Sequence, residues 1–287
     1  MWGRLPTCRC LMISILLLGD LGRTEFRDAR ACLRRWGDVR ETATLDAATR
    51  ELTEGGFAPG AIVVAQAFPG QFSHQTINVL RRLAPLARIL GLMGSWCEGE
   101  MRTGVPWPAT VRTYWHQWTT RCERELRRLT EGRASSWTLP VTATEEERLL
   151  LDAATAWSRR QGLIIIETSS AEMHAWLSAA CRSRGFATVW QCASMPARTK
   201  GAAAVLFDGD SLGPRACTSN EREGRLRRLI AEFRPAPVIA MLGFPRIEDH
   251  DAATAAGAAA VLSKPLALED LFWELDAALQ AEPTQTG

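Results

Sequence analysis

Residues 94–118, GSWCEGEMRTGVPWPATVRTYWHQW, concentrate side chains that can do chemistry. Within these 25 residues lie four of the chain's eleven Trp, its only Tyr, one Cys, one His, two Glu and two Arg. Cys97 and His116 could serve as nucleophile and base. Cys97, His116 and Cys122 could be read as zinc donors. Neither pattern is complete. No third group that would orient the base can be named, and three scattered donors do not make a tetrahedral site. Trp, Tyr and Arg are also the residue types that dominate binding hot spots. Trp96, Arg102, Trp107, Arg112, Tyr114, Trp115 and Trp118 are therefore candidates for an interaction surface. Glu98 and Glu100 would frame it with Arg102 and Arg112.

Whether this segment is a centre or a surface depends on the elements around it. The chain has 287 residues, 46% of them hydrophobic and 23% charged, which fits one large domain or two ordinary ones. The net charge of +2 does not call for nucleic acid as a partner. The Arg-rich stretches 121–129 and 221–229 interleave Glu at helical spacing, the pattern of a solvated, ion-paired face. Eight Cys and four His are scattered along the chain, and the close pair Cys8 and Cys10 matches no common zinc spacing. The thiols read as reduced fillers of a cytosolic protein. The apolar run LMISILLLG near the N-terminus is too short to span a bilayer. A buried strand explains it better than a secretion signal, since Asp20 follows directly and no small-residue cleavage site appears.

Six short apolar runs, at 13–19, 61–67, 88–94, 163–168, 203–208 and 237–243, alternate with amphipathic stretches. Runs without polar alternation indicate strands buried on both faces of a parallel sheet. The pattern also repeats. Residues 15–39 parallel 163–189, residues 61–70 parallel 203–213, and residues 87–95 parallel 236–244. WTLPVTATEEERLLLDAA (137–154) parallels LSKPLALEDLFWELDAA (262–278), with Pro140 opposite Pro265. The expected fold is α/β: two tandem flavodoxin-like (βα)5 domains, each a doubly wound parallel sheet. Their expected bounds are 11–157 and 160–281. Residues 95–108 then become a long loop at the functional edge of the first sheet. A helix is expected from Ala109 to Leu129, with Val111, Tyr114, Trp115 and Trp118 on one face.

The second half resembles the receiver domain of bacterial response regulators. The resemblance rests on GAAAVLSKPLALEDLFWELDAAL (257–279), which is similar to the family's Gly-Ala, strand, Lys-Pro, helix ending. Lys264 is one of only two Lys among 34 basic residues. The resemblance implies a phospho-acceptor at Asp208 and a pocket formed with Glu167, Thr168, Lys264 and Pro265. It also implies Mg²⁺ held by Glu167 and Asp208. The family places an acidic pair where this chain reads Glu167-Thr168, and a Ser or Thr where it reads Leu242. Two readings follow. Asp208, Glu167 and Lys264 still take metal and phosphate, or Asp208 and Lys264 survive as an ion pair. The missing carboxylate and hydroxyl favour the ion pair, with no cofactor. The first half has lost more. Its acceptor position reads Gln66, its lysine position Leu139, and only Asp20 keeps an acidic position.

The expectation is a cytoplasmic, non-enzymatic signalling or scaffold protein of two-component type. It would act through another protein, a kinase or an output partner, and not through nucleic acid or a membrane. The second domain would be at most weakly phosphorylatable. The alternative is an enzyme or ligand-binding protein using the 95–118 loop through Cys97 and His116.

Overall fold

The computed structural model describes residues 13–100, 104, 105, 107, 110–140, 142–153, 157–192, 199–210 and 218–280. The chain divides into two compact units, Met1–Ala154 and Thr155–Gly287. Each is built on one parallel sheet of five strands.

The first sheet holds β1 (Ile13–Gly19), β2 (Gly37–Thr42), β3 (Ala61–Gln66), β4 (Arg88–Met93) and β5 (Val111–Tyr114) in the order β2-β1-β3-β4-β5. Its helices are α1 (Arg27–Trp36), α2 (Leu45–Thr53), α3 (His74–Leu83), α4 (Trp115–Thr130) and α5 (Glu145–Ala153). The second sheet holds β6 (Leu163–Glu167), β7 (Ala187–Gln191), β8 (Ala204–Asp208), β9 (Val238–Gly243) and β10 (Ala260–Lys264). It runs β10-β9-β8-β6-β7, which is the first order read from its other edge. Its helices are α6 (Ala171–Ser183), α7 (Ser219–Glu232), α8 (Ile247–Ala255) and α9 (Leu268–Gln280). The doubly wound α/β fold is thus present twice.

The apolar runs became strands because a parallel sheet covered on both faces hides every side chain. All six residues of β3 are buried, as are all five of β8. In the second unit one core joins Ile164, Ile166 and Leu206 to Leu177 of α6 and Leu271 of α9. The opposite core joins Ile165, Val205 and Phe207 to Leu226 and Leu229 of α7. Local signals start the helices. Ser73 and Ser170 cap α3 and α6, and Thr218 and Glu221 form a capping box on α7.

Two expectations are corrected. The fifth strand of the first unit is Val111–Tyr114, hydrogen-bonded to β4, and not the segment around Leu139. This strand has four residues with Arg112 inside it, so it carries no apolar run. Pro140 opposite Pro265 was a coincidence of sequence. The helix starts at Trp115 and not at Ala109, so Val111 and Tyr114 stand on a strand and share no helical face with Trp118. Trp157 belongs to the second unit, where its ring packs on Phe272 at 5.5 Å.

Candidate functional site

Parallel strands bring their C-terminal ends to one edge, where doubly wound folds place their sites. In the second unit that edge carries Glu167 from β6 with Thr168 just after it, Asp208 from β8 and Lys264 from β10. Asp208 is 2% exposed. Thr168 Oγ1 donates to its Oδ2 at 2.8 Å, and the Lys264 ammonium donates to its Oδ1. The same ammonium lies 2.8 Å from Asp210 Oδ2. Burial opposes the charge on Lys264, but the hydrogen bonds to Asp208 and Asp210 prevail and hold its pKa above the usual lysine range. The Lys264-Pro265 peptide is cis.

Glu167 does not join this group. Side chains alternate across a sheet, so Glu167 shares the side of Ile165, where α7 packs. There Arg225 Nε donates to Glu167 Oε1 at 2.7 Å. The other carboxylate oxygen is buried without a hydrogen bond. Sequence reasoning missed Arg225 by reading its helix as a solvated face. The signal was its position beside Leu226, a core residue. These residues do not fit Mg²⁺. One carboxylate is engaged by a guanidinium, the other by an ammonium and a hydroxyl, and among the described residues no three ligating side chains converge. Leu242 fills the position of the missing hydroxyl. A Cβ on Gly209 would come within 2.6 Å of its Cδ2.

In the first unit the matching edge is closed by its own chain. Gln66 aligns with Asp208, because Gln66 pairs in register with Met93 as Asp208 does with Met241. Its Nε2 donates to Glu100 Oε1 at 3.2 Å and Oε2 at 3.3 Å. Arg112 of β5 forms an ion pair with Glu100. Cys97 is fully buried and donates its thiol proton to the Gln66 carbonyl at 3.4 Å. Burial, with the Glu100 charge nearby, pushes that thiol up to about 11. Trp107 covers the group and donates to the Phe72 carbonyl at 2.9 Å. Glu25, another residue missed from sequence, accepts from the Ser95 amide at 3.0 Å and from its hydroxyl at 2.7 Å. A Cβ on Gly94 would meet Glu25 Oε1 at 2.7 Å and the Ala67 carbonyl at 2.8 Å.

Register also relocates the lysine position. Met93 faces Tyr114 as Met241 faces Leu262, so Lys264 corresponds to His116 and not to Leu139. The His116 ring is buried, with Nε2 3.2 Å from Glu98 Oε1. Burial, and then the Glu25 charge, raises the pKa of Glu98. Cys122 turns to α1, where it is hydrogen-bonded to Cys32 and its thiol is held well above the usual range by burial. Cys97 thus bonds to Gln66 and His116 to Glu98, and among the described residues no three ligating side chains form a zinc site.

The expected aromatic surface divides. Trp107, Trp115 and Trp118 are buried, Tyr114 is half-buried, and Arg112 is taken up by Glu100. Only Trp96 of the candidate aromatics stands out, 74% exposed. Arg102 lies outside the described residues.

No protein-family model matches the sequence, and no curated protein does. Among solved structures the chain is similar to FixJ from B. japonicum, at 26% identity and a TM-score of 0.35, over 42% of this chain and 60% of that one. It is similar to a response regulator protein from Burkholderia pseudomallei that holds a phosphorylated aspartic acid, at 18% identity and a TM-score of 0.35, over 42% of this chain and 67% of that one. A structure described as a probable two-component system response regulator/GGDEF domain protein matches over 93% of this chain and 98% of its own, at 13% identity and a TM-score of 0.35. Among the described residues no helix is long and apolar enough to cross a membrane.

Proposed function

We propose that the protein is a cytoplasmic signalling scaffold of two-component type that acts by protein–protein contact and not by catalysis. The second unit is a receiver-like domain held in one state. The first is a pseudo-receiver whose strand-end site is filled from within. One observation carries this reading: Asp208, at the acceptor position, is held by Lys264 and Thr168 while Glu167 is held by Arg225. Phosphoryl transfer needs positive charge to gather on the incoming oxygens. Here the nearby cations already sit on carboxylates.

The enzyme reading through Cys97 and His116 loses its support from the buried, proton-holding thiol.

The test is exposure of the full chain to acetyl phosphate with Mg²⁺, read by intact mass. The expected result is no phosphorylated species, or a trace lost in Asp208→Asn. Stoichiometric modification of Asp208 would overturn the locked-state reading.

A further inference from the structure

The first unit carries a basic cavity beside its strand-end site, linked to it through the Arg23–Glu25 ion pair. It is about 440 Å³ and lies along α1 and the turn before it, lined by Gly22, Arg23, Thr24, Arg27, Arg30 and Arg34 among others. No carboxylate lines it. The spacing explains part of the convergence: Arg27, Arg30 and Arg34 recur at steps of three and four on one face of α1, and Arg23 joins them from the extended turn before it. Arg27 to Arg34 spans about 10 Å of α1.

Each guanidinium has an acidic neighbour. Arg23 Nε donates to Glu25 at 2.9 Å and Arg27 Nε to Asp28 at 3.1 Å. Arg30 grips Glu41 with Nε at 2.9 Å and Nη2 at 2.6 Å, and Arg34 Nε reaches the same carboxylate at 3.0 Å. These contacts are what an ordinary ion-paired face would show, yet those of Arg23, Arg30 and Arg34 leave donors over. A guanidinium has five donors in a fixed fork, and all the acids lie outside the cavity lining. Two forks on one carboxylate is also how arginine recognises an external phosphate. Glu41 acts here as an internal competitor for that role.

We propose that this cavity binds a compact phosphate chain, either as an inorganic polyphosphate or as the tail of a nucleoside triphosphate. Four guanidiniums around one cavity match several adjacent phosphoryl groups. The volume is that of a small-molecule site and not of a nucleic-acid track. The proposal is independent of whether Asp208 is phosphorylated.

The experiment is titration calorimetry on the full chain with inorganic tripolyphosphate, ATP and citrate, at low and at physiological salt. Tripolyphosphate and ATP should both bind, more weakly at the higher salt. Citrate should bind on the order of tenfold more weakly, for want of phosphoryl oxygens. The arms separate the sources: ATP well above tripolyphosphate identifies a nucleotide, and equality identifies the phosphate chain alone. Arg27→Gln with Arg34→Gln should weaken binding by at least about tenfold. Both side chains are more than half exposed, 53% and 56%, so folding should survive, as circular dichroism would verify. Glu41→Gln should tighten binding by removing the competitor. Arg35→Gln, outside the cavity, should leave it unchanged. No binding at millimolar ligand would overturn the proposal. So would citrate binding as well as tripolyphosphate, or equal losses in the double variant and in Arg35→Gln.

Discussion

Arg225 Nε lies 2.7 Å from Glu167 Oε1, so the carboxylate at the end of β6 is neutralised by a helix and not by a metal. A buried ion pair is asymmetric in its energetics: breaking one partner costs more than the pair contributes over a hydrophobic replacement. Arg225→Ala should therefore destabilise the second unit by about 3 kcal/mol, because Glu167 is left charged and buried. Arg225→Leu combined with Glu167→Leu should recover much of that loss. Urea denaturation of the three proteins measures both steps. If the single variant lost under about 0.5 kcal/mol, Glu167 would have found another partner.

Lys264 makes the second unit sensitive to high pH. Its folded pKa lies above the usual lysine value, through Asp208 and Asp210 acting against burial. The stability it contributes is complete below the unfolded value of about 10.4 and is lost as pH rises through the folded one. Stability should be level from pH 8 to about 10 and fall beyond it. Lys264→Met should remove that slope and lower stability throughout, since Asp208 would then lack its cation.

Glu125 has the opposite sign. Burial works to raise its pKa, but the Ser135 hydroxyl, Arg124, Arg128 and the Ser136 amide together hold it below the usual range. Its contribution is present above the ordinary carboxylate pKa and is lost as pH falls through the folded value. Denaturation at pH 5.5 and at about pH 3 should show the loss, and Glu125→Gln should reduce it. Ser135→Ala, which removes the 2.7 Å hydrogen bond to Glu125, should cost about 1–3 kcal/mol near neutral pH.

The two classes of Trp should behave differently. Trp118, 1% exposed, should cost about 3–5 kcal/mol as Trp118→Ala. Trp96→Ala should stay within about 0.5 kcal/mol, as an exposed residue away from the core. If a partner docks on this edge, Trp96→Ala is the variant that weakens binding without weakening the fold.

Cys97 should resist thiol reagents. With its pKa near 11, the thiolate fraction at pH 8 is about a hundredfold below that of an ordinary thiol, and burial adds a barrier. Labelling should appear only on unfolding. Fast labelling of the native protein, lost in Cys97→Ser, would revive the nucleophile.

The sequence carried the fold wherever burial was two-sided. β3, β4, β6, β8 and β9 are apolar runs read directly as strands, and β1 was read so over a secretion signal. β5 was hidden because VRTY is short and polar, and because the aromatics after it continue at helical spacing. That one element moved the lysine position from Leu139 to His116. Asp208 and Lys264 were legible because a carboxylate and an ammonium at strand ends stand out from apolar runs. Arg225, Glu100 and Glu25 were not. Each reaches its partner across 34 to 70 residues of sequence, by a route that only the packed helices and loops define.

One spot recurs in both halves with its volumes exchanged. Beside the acceptor position the first unit sets Ala67 against Gly94, and the second sets Gly209 against Leu242. A leucine at 94 would strike the Ala67 backbone, and an alanine at 209 would strike Leu242. A larger side chain therefore cannot be added alone at 94, and at 209 it can be added only if the end of Leu242 shifts. The two halves differ here by a steric limit: position 94 admits no larger side chain while the Ala67 backbone stays in place.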